Sequence, residues 1–197
     1  ARQFKGVPDS ALGWAADDSC RSNAETSTVA IQLGEEETSV LLRDACSAFR
    51  AQINDILVAA FAWALAQWCE SETVCFAMEG HGREDIVHGV DLSRTIGWFT
   101  TMFPVVVDGV PTADETTDAD LAAMIKTAKR SLGEMPNHGI GFGLLAQRGV
   151  EGLDNVPGMN DVVFNYLGQM DAGGGGGTTG EEAPLLLLLL LAPGPSR

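Results

Sequence analysis

From Ile53 onward, apolar side chains recur at Ile56, Leu57, Ala60, Phe61, Ala64, Leu65 and Trp68, the spacing of one helical face. Val58, Ala59, Ala62 and Trp63 make the opposite side apolar as well. A helix apolar nearly all round has to be packed on two sides or buried in an interior. The rest of the chain must therefore supply layers to flank it. Asn54, Asp55 and Gln67 interrupt the run too often for a membrane span.

The flanking segments read as alternating strands and helices. Residues 28–33 alternate well enough for a strand, and Glu35-Glu36-Glu37 then places negative charge on the first turn of a helix reaching Cys46. Strands are expected over residues 73–79 and 102–108. An amphipathic helix is expected over 118–132, with Leu121, Met124, Ile125, Ala128 and Leu132 on one face and Thr117 as its cap. Gly133 and Pro136 stop it. A short helix over 144–147 and a last strand over 161–166 follow. Residues 1–27 show little periodicity and read as a loop or crossing segment anchored by Trp14. Strands alternating with helices give an α/β class.

At 197 residues and 45% hydrophobic content, the chain can bury one sizeable core. Its net charge of −15 disfavours nucleic acid and an anionic membrane surface, both of which select basic faces. The cysteines, Cys20, Cys46, Cys69 and Cys75, lack the close spacing of zinc or redox sites. Cys46 and Cys69 read as free buried thiols, and the cytoplasm as the natural compartment.

Chemistry concentrates after the strand-like run Val74-Cys75-Phe76-Ala77. There Met78-Glu79-Gly80-His81-Gly82-Arg83-Glu84 is followed by Arg94-Thr95-Ile96-Gly97-Trp98-Phe99-Thr100. A carboxylate, a histidine and arginines threaded through glycines sit at the end of a rigid element, where backbone can approach a substrate. Read from the residues alone, Glu79 either acts on a substrate or ends a strand and pairs with Arg83 or Arg94. His81 and His88 are poorly spaced for a metal, and His81 is better placed to shape the loop by hydrogen bonds. Arg94 could hold an anion or orient the loop. Trp98 and Phe99 wall a cavity or pack a core. Gly139, Gly141 and Gly143 lack the flanking context of a phosphate loop and read as a tight turn.

These motifs resemble those of epimerization domains of nonribosomal peptide synthetases, relatives of the condensation domains. Three further segments are similar to family motifs in the same order. They are Asn54-Asp55-Ile56-Leu57-Val58-Ala59-Ala60, then Pro136-Asn137-His138-Gly139-Ile140-Gly141-Phe142-Gly143, then Phe164-Asn165-Tyr166-Leu167-Gly168-Gln169-Met170-Asp171. Phe142 stands where the family usually has tyrosine. The resemblance covers residues 28–171 and lacks one family motif, two adjacent histidines followed by an aspartate-glycine pair. The histidines here, His81, His88 and His138, are not adjacent.

The resemblance implies the C-terminal lobe of the chloramphenicol-acetyltransferase-like condensation and epimerization fold, over residues 1–171. The absent N-terminal lobe would be a partner. The active site would lie in a tunnel between the lobes. The implied reaction inverts L to D at the α-carbon of an aminoacyl or peptidyl thioester. That substrate is carried on the phosphopantetheine arm of a peptidyl carrier protein, and no cofactor or metal is bound directly. Glu79 would face the α-carbon opposite the missing histidine. Tyr166, Asn165 and Arg94 would assist, while His81, Trp98 and Phe99 would line the tunnel. On a strand, Asn165 and Tyr166 point to opposite faces, so only one reaches the site directly. Two other readings remain open: a condensation-type acyltransferase segment, and a non-catalytic fragment that docks a carrier. The half site implies that the isolated segment is inactive.

Residues 172–197 change character, with glycines at 173–177 and leucines at 185–191. They read as a disordered linker, or as translated intron or frame-shifted sequence, and as functionally silent.

Overall fold

The computed structural model describes residues 28–112, 116–153, 156, 159, 161–169 and 185–191. The expectations for Trp14, Cys20, residues 1–27 and the domain boundary at 171 lie outside them.

In chain order the elements are α1 (Glu35–Ser39), a π-helical stretch (Val40–Ala45), α2 (Cys46–Phe49), α3 (Ile53–Cys69), β1 (Val74–Gly80) and β2 (Thr101–Val107). Then come α4 (Asp118–Gly133), a 3-10 turn (Pro136–Gly139), α5 (Phe142–Gln147), β3 (Val162–Gln169) and β4 (Leu185–Leu191). The strands form one mixed sheet in the order β2-β1-β3-β4. Only β1 and β3 run parallel; β2 on β1 and β4 on β3 are antiparallel.

β1 is an interior strand with neighbours on both edges, and Val74 through Met78 are all buried. Side chains alternate across a sheet. Val74, Phe76 and Met78 join Phe103, Val105 and Val107 of β2 and Val162 and Phe164 of β3 in one core with α3 and α4. Phe61, Phe76 and Phe164 form its centre. Phe61 meets Phe76 edge-on at 4.8 Å between ring centroids and Phe164 at 5.5 Å, the offset geometry aromatic quadrupoles favour.

Local chemistry starts both long helices. The Gln52 N–H donates to Asp55 Oδ2 at 2.8 Å, placing a carboxylate on the first turn of α3. At α4, the Asp120 N–H donates to Thr117 Oγ1 at 3.3 Å and the Thr117 N–H donates to Asp120 Oδ2 at 3.0 Å. Thr117 is thus the cap expected from its position. Its hydroxyl, and next its backbone N–H, hold the Asp120 carboxyl below the usual range.

α3 is packed on two sides, by the sheet and by α4, one of the two arrangements its apolar surface allows; Ala60, Ala64 and Trp68, spaced at one helical stripe, are exposed. Two expectations are corrected. Residues 28–33 form no strand, because an alternating segment becomes one only where an open edge pairs with it; Val29 and Ile31 stand exposed. The leucine run is not without order, since Leu185–Leu191 pairs with β3 from Val162↔Leu191 onward, with a register shift between Tyr166 and Gln169. An unfilled strand edge is a row of donors and acceptors that an extended apolar segment can satisfy. Among the described residues, no helix is long and apolar enough to cross a membrane.

Cys46 and Cys69 are half-buried rather than buried, and Cys75 is buried; none of the three is in a disulfide. Burial, and secondarily the charge of Asp161, pushes the Cys75 thiol from its ordinary 9.0 up to about 12. A folded-state value above the unfolded one means that the protonated thiol's contribution to stability is complete below pH 9.0. It is then lost as pH climbs toward 12. At pH 8 a thiol reagent is therefore expected to label Cys75 only after denaturation. Labelling of folded protein at the rate of a model thiol, read by peptide mass spectrometry, would show that the strand is not closed.

Candidate functional site

Glu79 marks the place where the burial of β1 gives out: Met78 before it is buried, and Glu79 and Gly80 are half-buried. Met78 faces the helices, so the pleat turns Glu79 to the other face of the sheet. In the parallel β1–β3 register Met78 lies opposite Phe164. One position further on, Asn165 also points away from the helices, and its Nδ2 donates to Glu79 Oε2. Residues 86 positions apart thus meet between the end of β1 and the middle of β3.

The same parity separates Tyr166 from this pair. Expected at the site, Tyr166 instead packs against the helix-side core, where burial, and secondarily Cys46, raises its hydroxyl pKa. The ion pair allowed by the sequence, Glu79 with Arg83 or Arg94, is not formed. Arg83 is turned into its own loop, donating from Nη1 to the Leu92 carbonyl at 2.5 Å and from Nη2 to the Thr95 carbonyl at 2.8 Å. Its guanidinium also lies 4.3 Å over the Phe99 ring. Arg83 therefore folds the long β1–β2 connection, residues 81–100, around itself.

The other expected site residues are distributed along that connection. Phe99 is half-buried beneath Arg83. Trp98 is 91% exposed, so the core-packing alternative does not hold for it. Arg94 is exposed, and among the described residues no carboxylate pairs with it. His81 shapes the loop: its Nδ1 accepts from the Arg83 N–H at 3.0 Å, and its Nε2 lies 3.3 Å from Glu84 Oε1. Among the described residues no cluster of three or more His, Cys, Asp or Glu is placed to hold a metal ion.

Glu84 and His138 are structural contributors that sequence reasoning left without a role, and Arg83 one that it read only as a partner for Glu79. Their only local signal is the density of ionisable residues between glycines in His81-Gly82-Arg83-Glu84. His138 reaches Glu84 from the distant 3-10 turn, its Nδ1 3.5 Å from Oε2.

Gly82 is required by two constraints. Its φ is +64°, and a Cβ there would stand 1.6 Å from the Phe99 carbonyl oxygen and 2.7 Å from its carbon. The obstacle is backbone, which cannot rotate away. Gly82→Ala is expected to cost about 2–3 kcal/mol and to open residues 81–100 to proteolysis. Unchanged denaturation and digestion would mean that this loop packs differently.

Comparison with known proteins agrees with this architecture. The Condensation domain family model matches residues 2–178. Among curated proteins, bacitracin synthase 2 of Bacillus licheniformis is 45% identical over 147 residues, which is 73% of this chain. Surfactin synthase subunit 2 of Bacillus subtilis (strain 168) is 39% identical over 148 residues, 75% of the chain. The chain spans only 5% and 4% of these relatives' lengths.

Among solved structures, the epimerization domain from the third module of tyrocidine synthetase B aligns with a TM-score of 0.53 and 37% identity. That alignment covers 60% of this chain and 25% of that one. The first condensation domain of the CDA synthetase aligns with a TM-score of 0.54 over 86% of this chain and 35% of its own; at 22% identity it speaks for the fold alone. Motif order, a family match over most of the sequence and the shared α/β lobe converge: the chain belongs to the condensation-domain family of nonribosomal peptide synthetases.

Proposed function

We propose that this chain carries one of the two proton-handling groups of an epimerization site, with Glu79 exchanging the α-proton of a thioester-bound aminoacyl or peptidyl group. The observation that carries the reading is the Glu79–Asn165 pair on the face of the sheet opposite α3 and α4. The 37% identity to an epimerization domain supports it over plain amide formation.

The chemistry is balanced without an electron sink beyond the substrate. A thioester acidifies its α-proton because the electron pair left behind delocalises onto the carbonyl oxygen as an enolate. A carboxylate on one face takes that proton, and a second group on the opposite face returns one, inverting the centre. Asn165 holds one carboxylate oxygen of Glu79, which fixes the group's orientation and leaves the other oxygen to take the proton. The second group would come from the N-terminal lobe, and the substrate would arrive on the arm of a peptidyl carrier protein.

The test is α-proton exchange from deuterated water into a carrier-bound aminoacyl thioester, catalysed by the synthetase with and without Glu79→Gln. Loss of exchange in the variant supports the proposal, and wild-type exchange in the variant overturns it. A wild-type synthetase that forms amide bonds with no α-exchange would place the chain with condensation instead.

A further inference from the structure

Two segments flank Gly80, the neighbour of Glu79. One is the loop 81–100. The other is the turn Pro136–Gly139, whose His138 carbonyl oxygen lies 3.9 Å from where a Gly80 Cβ would stand. Asn137 and His138 both adopt left-handed backbone, with φ of 46° and 52°, and Gly139 follows at 79°. Consecutive left-handed residues other than glycine are unfavourable and persist only where surrounding contacts hold them. Gly139 supplies one such contact by lying so close to the Phe103 ring that a Cβ would stand 2.2 Å from it.

Glu84 supplies the other. Its largely buried carboxylate, 17% exposed, bridges two rings: Oε1 lies 3.3 Å from His81 Nε2, and Oε2 lies 3.5 Å from His138 Nδ1. His81 accepts a backbone bond at Nδ1, so the neutral ring carries its proton on Nε2, facing Glu84. Among the described residues, Glu84 is the charged group facing both rings. The neighbouring cation, Arg83, is directed at the Leu92, Thr95 and Gly97 carbonyls and at Phe99.

We infer that Glu84 is a positioning residue: with His81 and His138 it forms a two-histidine clasp that joins the loop to the left-handed turn across Gly80, and so steadies Glu79. The clasp stands on these contacts alone, whereas its bearing on Glu79 rests on the proton-transfer reading above.

Hydrogen exchange of the full chain, corrected for intrinsic exchange, tests it. Wild-type amides in residues 82–100 and 137–141 are expected to be protected. Glu84→Gln should exchange there about fivefold faster, with α3 unaffected. His138→Asn, which removes the imidazole but tolerates the left-handed backbone, should shift protection the same way by less and keeps the test open if Glu84→Gln fails to fold. Protection equal to wild type in both variants overturns the clasp. In the synthetase, Glu84→Gln should lower kcat for α-proton exchange with KM little changed. Normal kcat alongside lost protection overturns the positioning role. A silent Glu79→Gln would instead overturn only the proposed reaction.

Discussion

Glu79→Gln in the synthetase is expected to slow α-proton exchange by about 10²–10⁴-fold, the range a positioned acid–base group supplies. Glutamine keeps the size of the side chain and an oxygen to accept from Asn165, so the β1–β3 contact is conserved while the capacity to take a proton is removed. Thermal unfolding should therefore stay near wild type, which separates chemistry from folding. Asn165→Ala is expected to cost less, about tenfold, because it loosens the orientation of Glu79 without removing its function. Combined with Glu79→Gln it should add almost nothing, the non-additivity of groups acting as a unit. A fall of less than threefold for Glu79→Gln, or additive effects, would mean that the pair is structural.

Phe164→Ala should be the most destabilising single truncation, by about 3–5 kcal/mol. Phe164 is fully buried on β3, with its ring 5.5 Å from Phe61 and 6.3 Å from Phe76. The cavity would open between the sheet and α3, where β1 and β3 on one side and the helix on the other leave little freedom to collapse. Domains of this size are typically stable by about 5–15 kcal/mol, so the variant is expected near the threshold of unfolding. Phe164→Leu, which keeps most of the apolar volume, should remain folded and lose about 1–2 kcal/mol. Urea denaturation of both variants checks the pair. Equal midpoints for alanine and leucine would show that the ring is not the keystone of this core.

Much of this was readable before any coordinates. The 3.6-residue spacing locates α3 and α4, the Thr117 cap lies at its observed place, and both β1 and β2 fall within a residue of their expected limits. Such features depend on neighbours within one or two turns, which a linear sequence displays. Strand pairing does not. Residues 28–33 and 185–191 are both short apolar-rich segments, and the better alternating pattern belongs to the one that forms no strand. What decides between them is whether an open edge lies alongside, and for the leucine run that edge is β3.

The site divides along the same line. The sequence by itself determined that Glu79 ends a strand among glycines, that Asn165 and Tyr166 oppose each other in direction, and which family the motifs belong to. Only the tertiary structure decided that Asn165 shares a face with Glu79 while Tyr166 enters the core, because the parallel β1–β3 register chooses the face. It also decided that Arg83 bonds its own loop rather than Glu79, and that Glu84 meets His138. These outcomes rest on contacts between residues remote in the chain. Register, strand edge and close backbone approach set them, and no local pattern of residue types encodes those quantities.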